Sequence, residues 1–228
     1  MQLTVLIPFF NEEKTLQEST LRVISKLPKA SILLIDDKSV DNSNIIAKEL
    51  QNKYPQVKLI QNVKNLGKGS ALNFSKDFVE TSHIIIHDAD LEYFPEDIIE
   101  MYDLAKAYPN DMILGSRFIG DKPRNNIYRR TYFANKLMSY FFSIVFMKKI
   151  SDIATCYKLI PSNFFKNVNF TEKGFSIEIE MVAKFLKSKY NVHEVPISYF
   201  GRTYEEGKKI KPLDGLMYLL NTLKYRFF

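Results

Sequence analysis

The sequence predicts an α/β fold, a single, mainly parallel sheet flanked by helices. Three observations predict it. Five short apolar runs have strand length and composition: Leu3 to Ile7, Ile32 to Ile35, Val57 to Ile60, Ile84 to Ile86 and Met112 to Leu114. Helix-like stretches separate them, and strands spaced by helices imply parallel pairing through crossovers. Every run ends in polar, charged or glycine residues, and open parallel sheets bind ligands beyond the carboxyl ends of their strands.

Taken in order, the first strand runs into Pro8-Phe9-Phe10-Asn11-Glu12-Glu13, and a helix-like stretch follows from Glu12 to Leu27. The second ends in Asp36-Asp37-Lys38-Ser39, with Asp41 placed to cap the helix predicted from Ser43 to Tyr54. After the third comes Asn65-Leu66-Gly67-Lys68-Gly69 and a helix from Gly69 to Glu80. Glycines there let backbone approach a ligand closely, and a lysine can meet phosphate. The fourth strand ends in Asp88-Ala89-Asp90-Leu91-Glu92 before a helix from Pro95 to Tyr108, and the fifth ends in Gly115-Ser116-Arg117. The glycine spacing is not that of a P-loop, and no GxGxxG follows the first strand. ATP hydrolysis and dinucleotide-dependent dehydrogenation are both disfavoured.

Asp88 and Asp90 carry the most chemistry. Side chains two apart in an extended segment point the same way, so both carboxylates can face one ion. Magnesium and similar hard cations take oxygen ligands, often one or two carboxylates plus substrate phosphates. Alone, such a pair is commonly a solvated loop. Its convergence with acids and a lysine at one sheet edge argues for a site.

Composition sets wider bounds. The chain has 228 residues, 46% hydrophobic and 25% charged, as expected of a globular protein with a real core. Cys156 is the single cysteine, so no intrachain disulfide forms and a reducing compartment is expected. The start lacks a secretion-signal pattern, and no apolar run approaches the roughly 20 residues that span a bilayer. The expected location is the cytoplasm, with peripheral attachment to the cytoplasmic face of a membrane. From Lys122 to Ser151 there is no acidic residue, while seven basic residues interleave with aromatics such as Tyr132, Phe133 and Tyr140. A basic, aromatic amphipathic helix suits a membrane interface. Leu216, Leu219, Leu220 and Leu223 repeat at helical spacing near the end of the chain, beside Lys224 and Arg226. The net charge of +6 also fits nucleic acid, but an acidic ligand edge would repel a phosphate backbone, and no nucleic-acid partner is expected.

With these motifs in place, the chain resembles glycosyltransferase family 2, whose fold is GT-A. The likeness is to its branch of dolichol-phosphate mannosyltransferases and polyprenyl-phosphate glycosyltransferases. It rests on Ile7 to Glu12, Ile35 to Asp41, Asn65 to Gly69, Asp88 to Glu92, Gly115 to Arg117, Asp152 to Lys158, Glu178 to Glu180 and Glu194 to Ile210. It covers nearly the whole chain, as one domain with a donor half over residues 1–120 and an acceptor half over 121–228.

The resemblance implies an inverting, metal-dependent transfer of a hexose from a nucleotide-diphosphate sugar, GDP-mannose or a UDP-sugar, to a polyprenyl or dolichyl phosphate. By position, Pro8, Phe10 and Glu12 would line the base and ribose pocket, and Ile35 and Asp37 would contact the base. Asp88, Ala89 and Asp90 would meet ribose and diphosphate. Asp88, Asp90 and Glu92 would hold Mg2+ or Mn2+, and Arg202 and Lys208 would face the same phosphates. Arg117 and Arg130, with Arg129 as the alternative, are the candidates for the acceptor phosphate. Asp90, Arg117, Arg130 and Arg202 are thus the candidate catalytic residues. Where the branch often shows serine beyond that arginine, this chain reads Ala134-Asn135.

Acceptor type decides whether a base is needed. A phosphate monoester, with a second pKa of about 6, is already largely dianionic at neutral pH. Asp152 would then only organise the site. A sugar hydroxyl would need a base, from Asp152, Glu178 or Glu180. Glu178 and Glu180 cannot share one helix face, so one of them is expected to be structural. The alternatives are a family 2 transferase acting on a saccharide hydroxyl and a non-catalytic nucleotide-sugar-binding protein.

Overall fold

The computed structural model describes the chain except residues 126–127, 204 and 208–211, and the side chains of 212–214. Seven strands form one sheet: β1 (Leu3–Phe9), β2 (Ser31–Asp36), β3 (Val57–Gln61), β4 (His83–Ile86), β5 (Met112–Ser116), β7 (Lys158–Pro161) and β8 (Val192–Pro196). Their spatial order is β3-β2-β1-β4-β7-β5-β8. The pairs β1/β2, β2/β3, β1/β4 and β5/β8 are parallel, and only β7 runs antiparallel to its neighbours β4 and β5. Two short strands, β6 (Arg124–Asn125) and β9 (Tyr199–Phe200), pair beside the sheet's carboxyl edge.

The predicted strands read as unbroken apolar runs because both sheet faces are covered. On β1, Leu6 enters one core, while Val5, Ile7 and Phe9 enter the other. On β2, Leu33 and Ile35 oppose Ile32 and Leu34 in the same way. Helices α1 (Leu16–Lys26), α2 (Ser43–Lys53) and α4 (Pro95–Ala107) cover one face through residues such as Leu16, Ala47 and Met101. The other face is covered by α3 (Lys68–Ser75), α5 (Arg129–Phe146), α6 (Ser162–Asn167), α7 (Ile177–Lys187) and α8 (Pro212–Phe227). Proline at the first turn of α4, with Glu96 and Asp97 beside it, matches the fixed φ and the positive end of a helix N-terminus.

Two expected boundaries move. The helix expected from Glu12 begins at Leu16, because the Glu12 carbonyl accepts from the main-chain N–H groups of Thr15 and Leu16 in a turn ahead of it. The helix expected from Gly69 to Glu80 ends at Ser75 and continues as one tight turn over Lys76–Phe78. As expected, Asp41 precedes α2 and its carboxylate accepts from the Ser43 N–H at 3.0 Å.

Helices α5 and α8 pack against each other, bury part of their apolar side chains in the core, and also turn further apolar side chains outward. On α8 the buried side carries Tyr218, Asn221, Thr222 and Tyr225, while Leu216, Met217, Leu220, Leu223 and Phe227 are exposed. On α5 and its end, Phe133, Leu137, Tyr140, Ile144 and Met147 repeat at intervals of four and three and are all exposed. Among the described residues, no helix is long and apolar enough to cross a membrane.

Candidate active site

One cavity of about 510 Å³ opens at the carboxyl edge of the sheet. It is lined by Pro8, Phe10, Glu12, Asp37, Lys68, Asp88, Ala89, Asp90, Glu92, Arg117, Arg130 and Arg202. The same cavity reaches Ala134, Asn135 and Met138 on α5 and Gly215 and Tyr218 on α8. Sequence positions spread over the whole chain therefore meet in one place.

The expected donor residues fall into two ion-pair networks. In the first, Arg202 grips both carboxylate oxygens of Glu12, at 3.1 and 3.2 Å, and reaches Asp90 Oδ2 at 3.2 Å. Its main-chain N–H donates to Glu92 Oε1 at 2.9 Å, and the Tyr199 hydroxyl donates to Glu92 Oε2 at 2.6 Å. In the second, Lys68 lies between Asp88 at 2.6 Å and Glu178 at 2.8 Å, and Lys158 donates to the other oxygen of Glu178. Leu91, between the acids, has φ of +63°, a left-handed conformation uncommon outside glycine that turns the chain between Asp90 and Glu92.

Charge compensation is incomplete at Asp90. Burial, reinforced by the charges of Glu92 and Asp88, pushes its pKa up to about 7 despite Arg202. Such a site calls for more positive charge. Asp88 and Asp90 supply hard oxygen donors of the kind a divalent cation takes alongside substrate phosphates, so the residues present fit such an ion. The expected trio does not converge as it stands, and no three acidic, histidine or cysteine side chains among the described residues form a ready metal cage. The reason is visible: Lys68 holds Asp88, while Tyr199 and the Arg202 main chain draw Glu92 aside.

Other expected residues take more specific positions. Asp37 accepts from the Asn62 amide and from the main-chain N–H groups of Leu66 and Gly67, so it fixes the glycine turn at the cavity wall. Ile35 does not line the cavity, because its side chain is fully buried in the core with Leu6 and Ile60. The glycines serve the fold as well as the cavity. Gly67 has φ of +94°, and a Cβ on Gly69 would stand 2.0 Å from the Glu172 carbonyl oxygen. Lys208 lies outside the described residues.

Among the residues expected at the acceptor end, Asp152 binds Arg117 through Nε at 2.7 Å and Nη2 at 2.8 Å. The guanidinium carbon lies 4.9 Å from the Tyr199 ring centre. Burial alone would lower the arginine's pKa, but Asp152 holds it above the ordinary value. Arg130 is exposed and lines the cavity, whereas Arg129 does not line it. Glu178 faces the cavity, and Glu180 turns away to accept from the Thr171 and Glu172 main chain. Cys156 is buried on the cavity floor, where burial pushes its thiol well above the ordinary pKa and keeps it inert.

Sequence reasoning missed Tyr199 and Lys158 as individual site residues. The signal for Lys158 was a cation between Tyr157 and Leu159-Ile160, since a charge inside an apolar strand must find a partner.

Residues 4–168 match the family model described as glycosyl transferase family 2. The chain belongs to glycosyl transferase family 2. It is 31% identical over 215 residues to dolichol-phosphate mannosyltransferase of Pyrococcus furiosus, across 91% of this chain and 59% of that protein. Identity to human dolichyl-phosphate beta-glucosyltransferase is 28% over 232 residues, across 92% of this chain and 70% of that protein. This family 2 chain thus spans 59% and 70% of those two relatives' lengths. Among solved structures it is similar to glucosyl-3-phosphoglycerate synthase from Mycobacterium tuberculosis, in complex with Mn2+, UDP and glucosyl-3-phosphoglycerate. The TM-score is 0.74 at 16% identity, over 99% of this chain and 79% of that one. TarS from S. aureus with UDP-GlcNAc gives a TM-score of 0.65 at 14% identity, over 99% and 66%. The fold of this family 2 glycosyltransferase domain is GT-A, as the motifs imply.

Proposed function

We propose that this glycosyltransferase domain moves a hexose, with inversion, from a nucleoside-diphosphate sugar to a polyprenyl or dolichyl phosphate at a membrane surface. Residues 1–120 supply most of the donor half and 121–228 most of the acceptor half, with Arg202 crossing to the donor and Arg117 to the acceptor. The observation that carries this reading is the single cavity running from Asp37, Asp88 and Asp90, past Arg117 and Arg130, to α5 and α8 with their exposed apolar faces. The names of the mannosyl- and glucosyltransferase relatives support a dolichyl-phosphate acceptor.

In this mechanism Asp88 and Asp90 would hold the divalent cation, Mg2+ or Mn2+, which would neutralise the diphosphate and supply Lewis-acid stabilisation of the leaving group. Arg202, preorganised by Glu12, sits beside Asp90 to meet charge that develops on the departing phosphate. Arg117, locked in orientation by Asp152, and the exposed Arg130 bind the acceptor phosphate. That phosphate attacks without a general base, because it is already largely dianionic with a second pKa of about 6.

The three base candidates support a phosphate acceptor. Asp152 is spent on Arg117, Glu178 on Lys68 and Lys158, and Glu180 on the turn at Thr171. A hydroxyl acceptor would need one of them free.

The test offers one donor with two acceptors, a short-chain polyprenyl phosphate and a free saccharide. The expected product is the lipid-linked sugar, with a nucleoside diphosphate released. Exclusive transfer to the saccharide would overturn the acceptor assignment, and binding of the donor without turnover on either would overturn the enzymatic reading.

A further inference from the structure

Lys68 is an unusual neighbour for a metal-binding carboxylate. Its ammonium sits 2.6 Å from Asp88 and 2.8 Å from Glu178, almost withdrawn from solvent. It occupies Asp88 Oδ1, one of the two carboxylate oxygens a cation there could take. Glu178 does not need Lys68 to stay in place. Its second oxygen is held by Lys158, which also donates to the Thr155 carbonyl and is fully buried. Glu178 is therefore an anchored anion, set in the first turn of α7 and aimed at Lys68. The main chain around Lys68 is fixed too, because Ser70 N–H donates to the Lys173 carbonyl and Gly69 abuts Glu172. Only the flexible four-carbon stem of Lys68 is free to redistribute its charge.

Among the described residues Asp88 is paired with Lys68 alone, so a divalent ion can take Asp88 only if Lys68 yields it and keeps a carboxylate partner of its own.

We propose that Lys68 is the resident counter-ion of Asp88 in the donor-free protein, and that Glu178 is its second seat when a divalent cation takes Asp88. This rests on the donor site assigned above. Lys68 competes with the metal, and Glu178 weakens that competition by sharing the ammonium. The pair sets how tightly the site takes a cation before any nucleotide arrives. Without the device the site would take a cation more readily before any nucleotide arrives; with it, the donor's diphosphate contributes more of the binding.

The two residues then have opposite effects on metal affinity, which a merely structural role would not produce. Mn2+ alone is titrated into the full chain, and the free ion is read by electron paramagnetic resonance. Lys68→Met is expected to tighten Mn2+ binding by about tenfold or more, the scale on which outer-shell partners tune metal sites. Glu178→Gln is expected to weaken it, because Lys68 is left with Asp88 as its only anion of the two. The charge-balanced double variant, Lys68→Met with Glu178→Gln, loses one charge of each sign. It is expected to bind Mn2+ as tightly as Lys68→Met, which keeps the test sharp should the single lysine variant fold poorly. Unchanged or weaker Mn2+ binding in both variants lacking Lys68 would overturn the proposal. Asp90→Asn separates the two levels of the argument. If it loses Mn2+ while removal of Lys68 brings no gain, the donor site stands and the counter-ion role fails. If it binds Mn2+ as the native chain does, the donor-site reading itself fails.

Discussion

Asp152 holds Arg117 with both of its oxygens, Oδ2 to Nε at 2.7 Å and Oδ1 to Nη2 at 2.8 Å, and Oδ2 also accepts from the Arg117 main-chain N–H at 3.0 Å. Asp152 is fully buried. The pair joins the end of β5 to the loop ahead of β7 and holds one arginine at the cavity wall, in the proposed acceptor end. A carboxylate so engaged positions a cation and has no capacity left to take a proton from an acceptor.

Removing that carboxylate leaves a buried guanidinium unpaired. Asp152→Ala is expected to destabilise the fold by about 3–5 kcal/mol, the scale for stripping one partner from a buried ion pair. Urea denaturation measures the loss. Asp152→Asn keeps the shape and some hydrogen bonding, so it is the variant for kinetics. Its KM for a polyprenyl-phosphate acceptor is expected to rise while donor affinity holds. A matching loss of donor affinity would contradict the division of the cavity.

Asp90 is expected to carry the strongest dependence on metal. Asp90→Ala removes the carboxylate that burial, Glu92 and Asp88 push up to about 7. Transfer is expected to fall to background, and a nucleoside diphosphate with Mn2+ should no longer raise the melting temperature. Selective ligands stabilise by mass action, so the native chain shows a shift that grows with ligand concentration. Chelation with EDTA should erase that shift in the native chain and change nothing in the variant.

Glu180 gives a pH prediction away from the catalytic groups. Burial would raise its pKa, but the Lys184 ammonium and the Glu172 and Thr171 main-chain N–H groups outweigh it and hold the carboxyl below its ordinary value. A depressed folded-state pKa stabilises the native state above the unfolded-state pKa, and that contribution is lost as pH falls through the folded value. The native chain should therefore be more stable than Glu180→Gln at pH 7. The gap should close as the solution is acidified through the carboxylate range. Denaturation midpoints of both proteins across that range check the sign, and a gap that widens in acid would refute it.

Much of this site could be read from sequence because its chemistry sits where strands end. Asp37, Asp88 and Arg117 each follow an apolar run, and the parallel topology brings those ends to one edge. What could not be read depends on contacts made at long range. Tyr199 reaches Glu92 across 107 positions, and Arg202 reaches Glu12 across 190. Strand β7 was invisible for a related reason. It is four residues long, contains Lys158 and runs antiparallel between β4 and β5, so neither an apolar run nor an alternating pattern marked it. Ile35, expected at the base only from the family resemblance, has its side chain in the core, where alternation along β2 sends it.

The helices α5 and α8 carry the last prediction. Leu137 is 62% exposed on one and Leu220 is 52% exposed on the other, each within an outward apolar stripe. The buried side of α8 combines Tyr218 and Tyr225 with the polar Asn221 and Thr222. Basic residues flank the stripes, Arg129 and Lys136 on α5 and Lys224 and Arg226 on α8. Apolar insertion with flanking positive charge is the binding logic of an interfacial helix on anionic lipid. The protein should therefore sediment with vesicles containing phosphatidylglycerol, and added salt should release part of it by screening the basic residues. Replacing Leu137 and Leu220 together by serine removes two side chains, each worth roughly 1.5–3 kcal/mol when fully transferred from water. Partial insertion gives less, so vesicle affinity should fall by at least about tenfold. The melting temperature should stay the same, because neither side chain fills the core. Transfer to a water-soluble short-chain acceptor should also persist. Retained vesicle binding in that variant would remove these stripes as the membrane contact, and a large drop in melting temperature would show that they pack against protein instead.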